Sequence, residues 1–207
     1  MKRTIPSFFS VPMLLVAGVF LAGCAAQTTY VDPRADTGPA TLTLDYRDFE
    51  MAAGEAVESL LRSGAVDRPG GGRYIMVVSR VTNDTMQRID TDQLTRKIRV
   101  DLLNSGRVVT TTAVGLDGPE DEMNMRVREL RDSEEFDQRG VQARGTLQAP
   151  DLSLSGKIIQ RNHTLDRRRQ QVEYYFQLAM TDLTTGLAIW ETEVPIIKRG
   201  SSRSVAW

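Results

Sequence analysis

A chain of 207 residues, 41% hydrophobic and carrying 26 Lys and Arg against 27 Asp and Glu, is long enough for one globular domain with a sizeable core. The near-neutral balance gives no electrostatic case for nucleic-acid binding, and one cysteine with one histidine leaves too few ligands for a zinc site. A lone cysteine forms no intrachain disulfide, so the fold must rest on hydrophobic burial, and nucleophile–imidazole catalysis would rest on His163 alone.

The chain opens with Lys2 and Arg3, an apolar run from Met13 to Ala22, and small residues behind it. This is the tripartite pattern of a secretory signal. A transmembrane helix is the rival reading and needs about 20 apolar residues. The stretch from Phe8 to Ala26 nearly reaches that length, but Ser10 and Pro12 interrupt it and no basic cluster follows Cys24. Leu21-Ala22-Gly23-Cys24 resembles the lipobox of bacterial lipoproteins. That resemblance implies cleavage between Gly23 and Cys24, a diacylglycerol on the Cys24 sulfur and a third acyl chain on the new α-amine. Ordinary secretion and an uncleaved anchor are the alternatives. One acyl chain holds a protein marginally, whereas two or three hold it firmly. Ala25-Ala26, with no aspartate after Cys24, is in enteric bacteria the signal for outer-membrane sorting. The expected location is thus the periplasmic face of the outer membrane, and no cofactor beyond the covalent lipid is expected.

Residues 24–44 read as a flexible tether, with Pro33, Gly38 and Pro39 and no helical period. About 20 such residues reach at most about 70 Å and average about 25 Å as a coil. Asp48 is expected to cap a helix running to Arg62, with Ala52, Ala56, Val57, Leu60 and Leu61 as its apolar stripe. Gly70-Gly71-Gly72 precedes a strand, Tyr74 to Val81, whose middle is apolar on both faces as in a central strand. A phosphate loop runs from strand to helix instead, so these glycines read as a turn. Asn83-Asp84-Thr85 is expected to order the next loop through Asx hydrogen bonds. Asp90 opens a second helix, with Gln93 placed for a capping box and Leu94, Ile98 and Leu102 on one face. Residues 107–112 form a short strand.

Pro119 begins a third helix, with Met123, Val127 and Leu130 as its buried face and Glu122 placed to pair with Arg126. Residues 133–149 fit either a short helix or an ordered loop. Leu152 to Ile158, Val172 to Leu183 and Leu187 to Val194 alternate as strands, with a turn at Thr184-Thr185-Gly186 and Trp190 in the packing. His163 lies in a polar stretch and reads as solvated. A helix between the first two strands favours a parallel pair, and the last three strands favour an antiparallel meander. The predicted fold class is α/β (α+β): one mixed sheet of about five strands, in the order αβαβα-βββ, with helices packed on it.

Several stretches resemble the LpoB-type lipoprotein activators of class A penicillin-binding proteins. They are Asp48-Phe49, Leu60-Leu61, Asn83-x-Thr85, Ile89-Asp90-Thr91, Leu94, Ile98-Arg99 and Leu102 to Arg107. Further on come Leu154 to Ile158, Tyr174-Tyr175-Phe176, Thr185-Gly186 and Ile189-Trp190-Glu191. The resemblance covers residues 45–199 and leaves 200–207 as a C-terminal tail. It implies a fold related to the amino-terminal domain of TolB, no enzymatic activity, and a role in binding and activating a class A penicillin-binding protein in peptidoglycan synthesis. The chain departs from that family in its short tether, which leaves another envelope protein as a second candidate partner. A structural or assembly lipoprotein of an envelope secretion or surface-appendage complex is the alternative function. Glu134, Glu135 and Asp137 are the carboxylates a wall hydrolase would use, but an acidic run reads first as solvated surface. Arg167-Arg168-Arg169, between two predicted strands, is the conspicuous basic cluster and the candidate partner-binding site. An acidic protein, lipid headgroups and wall carboxylates all suit its charge. The sequence does not specify an oligomeric state.

Overall fold

The computed structural model describes residues 28–33 and 35–204. The leader, Gly23 and Cys24 lie outside the described residues. The chain divides into two units, Met1–Gly38 and Pro39–Trp207. In the first, Ala35 N donates to Asp32 O and Gly38 N to the Asp36 carboxylate, both local turn bonds.

The second unit begins its helices at α1, Tyr46–Ser63. Its cap is Asp45 rather than the expected Asp48. Asp45 accepts from Arg47 N, and Asp48 stands at the third helical position, accepting from Asp45 N at 2.7 Å to complete a capping box. Gly64 ends α1 in the left-handed conformation at φ 74°, where a side chain would be strained. Strand β1, Tyr74–Asp84, leads into α2, Thr91–Asn104. Asp90 caps α2 as expected, accepting from Asp92 N at 2.9 Å, whereas the capping box predicted there with Gln93 occurs at α1 instead. The Asx loop forms as expected, with Asn83 Oδ1 accepting from Thr85 N at 3.1 Å.

Strand β2 is only Val108–Thr110. The third helix differs most from expectation. Helix α3 spans Met123–Glu129 and buries none of its residues; Met123 is 57% exposed. Two turns are too short to lay a stripe on the sheet, and the residues predicted to start the helix are used in a tied loop. There Asp121 N bonds Thr112 O and Glu120 clamps Arg99 at 2.9 Å. Arg126 pairs with Glu129 at 3.3 Å, not with Glu122. A single 3-10 turn, Leu130–Asp132, follows. Residues 133–149 are a loop held by Arg131, which donates to the carbonyls of Gln142 and Ala143.

Strands β3, Leu152–Thr164, β4, Arg169–Asp182, and β5, Leu187–Ser201, run longer than the sequence pattern indicates. The five strands form one sheet in the order β2-β1-β3-β4-β5. β1 pairs in parallel with both β2 and β3, while β3, β4 and β5 form the predicted antiparallel meander. β4 shows the period of two cleanly: Val172, Tyr174, Phe176, Leu178 and Met180 are buried, with half-buried residues between them. α1 covers this face, with Phe49 set edge-on to Phe176 at 5.9 Å. Leu94, Ile98 and Leu102 of α2 complete the core. Full burial of such side chains stabilises by about 2 kcal/mol each. Trp190 is in the packing as expected, its indole N–H donating to Ser59 at 3.3 Å. The opposite face carries polar rows such as Lys157 and Gln177, as one side of an antiparallel sheet tolerates. Gly156 is required on β3, because a Cβ there would stand 2.5 Å from the Gln177 carbonyl.

Candidate functional site

The period of two in β5 places Val194, Ile196 and Lys198 on the core side. A cation in that row needs a partner. Asp48 supplies it at 2.5 Å, with Asp45 at 3.9 Å. Both side chains of the close pair are near 10% exposed, at 11% for Lys198 and 9% for Asp48. Lys198 also donates to Thr43 O at 2.8 Å. Beside it Tyr174, fully buried, donates its hydroxyl to Leu42 O at 2.9 Å and accepts from the Gln87 amide. Leu44 N in turn donates to Gln87 at 3.1 Å. Leu42 is itself buried and rests on Gly200, where a Cβ would come within 3.0 Å of its side chain. Residues 40–44, read from sequence as tether, therefore form a strap bound to the domain.

The strap has a pH signature. Burial pushes the Tyr174 hydroxyl up to about 12. Above the ordinary tyrosine value of about 10 the unfolded chain loses this proton first, so it binds fewer protons than the folded one. Stability is fully present below pH about 10 and falls as pH rises toward about 12, by roughly 2–3 kcal/mol in all. Urea titrations across that range are expected to show this slope, and Tyr174→Phe is expected to remove most of it. An unchanged slope in the variant would mean that other groups produce it. At the opposite end of the pH scale, the side-chain hydrogen bond from Arg47 holds the Asp45 carboxyl below its usual range.

The basic cluster sits where expected, at the β3–β4 hairpin tip. Leu165 N and Asp166 N both donate to Arg169 O. The Asp166 carboxylate accepts from Arg168 N and Arg169 N at 2.8 Å and from Arg169 Nε at 2.7 Å. These bonds, that from Arg168 N foremost, hold Asp166 below the usual carboxylate range. Arg169 is thus paired within the turn. Arg167 and Arg168 are exposed, and among the described residues neither guanidinium has an acidic partner. The end of β5 braces them: Ser202 N donates to Arg168 O at 2.9 Å and Ser202 Oγ to Arg167 O at 3.0 Å. Together with Arg203 they line a shallow cavity of about 330 Å³. Sequence reading missed Arg199 and Arg203. Finding them required knowing that β5 runs on to Ser201.

The remaining candidates are separate from this site. His163 is exposed on β3 and lies 3.3 Å from Glu173. Glu134, Glu135 and Asp137 are exposed in the loop after the 3-10 turn, with Asp137 paired to Arg139 at 2.8 Å. Among the described residues no group of three or more His, Cys, Asp and Glu is placed to hold a metal ion. No helix among them is long and apolar enough to cross a membrane.

Comparison with known proteins gives one family. The model of the family described as "Peptidoglycan-synthase activator LpoB" matches residues 48–196. Among solved structures, the LpoB C-terminal domain from Escherichia coli is 15% identical, with a TM-score of 0.39, 72% of this chain covered and 98% of that one. The LpoB C-terminal domain from Salmonella enterica is 18% identical, with a TM-score of 0.40 and the same coverage. Lipoprotein GNA1162 from Neisseria meningitidis is 14% identical, with a TM-score of 0.35, covering 65% of this chain and 87% of that one. No curated protein sequence matches significantly.

Proposed function

The chain belongs to the peptidoglycan-synthase activator LpoB family, and from that premise we propose that it is a lipid-anchored envelope protein that binds and activates a class A penicillin-binding protein. The family match over residues 48–196 carries this reading. The lipobox at Leu21 to Cys24 supplies the anchor, at the periplasmic face of the outer membrane. The role is non-enzymatic. The domain binds an active conformer of the synthase more tightly than the resting one and shifts that population. A tenfold rise in the active fraction needs about 1.4 kcal/mol of differential binding, well within a modest interface.

The strap sharpens the geometry. With residues 40–44 held on the domain, the stretch between the lipobox cysteine and the strap shortens to the residues from Cys24 to about Gly38. Those residues reach at most about 50 Å, so the synthase must extend a domain to within that distance of the anchoring membrane. Acylation also confines the chain to one layer, raising its effective concentration there. The mature chain, added to purified class A synthases of its host, is expected to co-purify one-to-one and to raise glycan polymerisation several-fold. Absence of binding and of any rate change with every such synthase sinks the proposal. Recovery of a ring or other large assembly instead supports the structural role.

A further inference from the structure

The hairpin tip and the strap meet at one end of the domain. Leu42 packs on Gly200, and Gly200 lies two residues from Ser202, which holds the Arg167 and Arg168 carbonyls. At strand rise that is about 7 Å. Ala40 and Thr41 share a cavity with Arg199 and Ser204, and Pro39 O accepts from Arg47 at 3.2 Å. The polypeptide therefore enters the domain beside the tip. The segments 165–169 and 199–204 hold five arginines and one carboxylate, Asp166, which Arg169 already occupies. Fifteen residues run from Cys24 to Gly38, a contour of at most about 50 Å.

We propose that this tip, Arg167 and Arg168 with Arg199 and Arg203, docks on anionic phospholipid headgroups of the membrane that carries the anchor. The inference rests on the acylation of Cys24 proposed above. A short tether holds its point of entry near the bilayer, and the strap makes that entry point and the basic tip one end of the domain. The charge is complementary to an anionic surface and lies within about a Debye length of it once docked. Docking fixes which way the domain faces. The polar sheet face and the helices then stand away from the lipid, free for the synthase.

Each arginine at such a surface contributes about fivefold in affinity, so Arg167→Ala with Arg168→Ala costs roughly 30-fold. Two readouts separate this inference from the anchor. The mature acylated chain is placed in vesicles of phosphatidylcholine alone or with phosphatidylglycerol, and amide exchange is followed at residues 165–168 and 201–204. Exchange is expected to slow several-fold only with phosphatidylglycerol, and to return to the neutral-vesicle rate in the double variant, which stays anchored. In addition, residues 24–207 with Cys24→Ala, made without the leader, are expected to float weakly with anionic vesicles at low salt and to be released by high salt. Equal exchange in both vesicle types, with no flotation, overturns the inference. So does protection that appears only when the synthase is added, which would make the tip a protein-docking surface. An unacylated mass for native protein refutes the anchor but leaves the flotation assay to judge the tip.

Discussion

Cys24→Ala is expected to remove this protein's function in the cell while leaving its folded domain unchanged. The variant lacks the only thiol that can accept a diacylglycerol. Without acyl chains its effective concentration at the envelope layer falls by about 10²- to 10⁴-fold, since a tether concentrates a binding partner by that order. Two or three buried acyl chains are also what distinguishes firm from marginal attachment. Three measurements check this together. Mass spectrometry of the wild-type chain should show the acyl mass on residue 24, and the variant should lack it. Fractionation should move the variant out of the outer membrane. The thermal unfolding curve of residues 24–207 should be the same with either residue, because every described core side chain lies between Leu42 and Ile196. A variant that still acts normally from the outer membrane would refute lipid anchoring and with it the role of the tether.

The second large effect is on stability. Lys198→Ala is expected to destabilise the domain by about 3–5 kcal/mol, the usual cost of leaving one member of a buried ion pair without its partner. Asp48 would keep its capping bond from Asp45 N but lose the ammonium at 2.5 Å, and Thr43 O would lose its donor. For a domain of this size the unfolding temperature should fall by roughly 10 °C. Lys198→Met together with Asp48→Leu should recover a substantial part of that loss, because an apolar pair of similar volume avoids the desolvation of both charges. The single variant should also free the strap, so that trypsin cuts after Arg47 faster than in the wild-type chain. A Lys198→Ala protein with unchanged unfolding would show that the pair contributes no net stability and that the strap is held by its contacts with Gly200, Tyr174 and Gln87.

Local patterns were legible in proportion to how completely local forces decide them. The α2 stripe of Leu94, Ile98 and Leu102 and the Asp90 cap depend on residues within two turns, and both appear as read. The meander follows from alternation in three successive strands joined by short turns. The third helix was misread because its stripe of Met123, Val127 and Leu130 has the right spacing but none of the three is buried. Periodicity signals a face; it does not supply what that face packs against. Lys198 is inconspicuous in the sequence for a related reason. A lysine near a chain end reads as solvated, and only the continuation of β5 in register with β4 turns it inward. The basic tip was half legible: three consecutive arginines are visible in one dimension, whereas Arg203 joins them only through the tertiary fold and Arg199 lies near by on β5 opposite Gln171.

The sequence by itself determined the single thiol, the balance of charge, and the order of helices and strands, since each depends on composition or on neighbours a few residues apart. Tertiary structure alone decided that β3 lies parallel to β1, that residues 40–44 are strap and not tether, and that the strap enters beside the arginines. Those facts come from contacts between residues far apart in the chain, such as Met76 with Leu152, Leu42 with Tyr174 and Asp48 with Lys198. Such pairs are selected by the burial of the whole sheet against its helices, a condition that no local window of the chain contains.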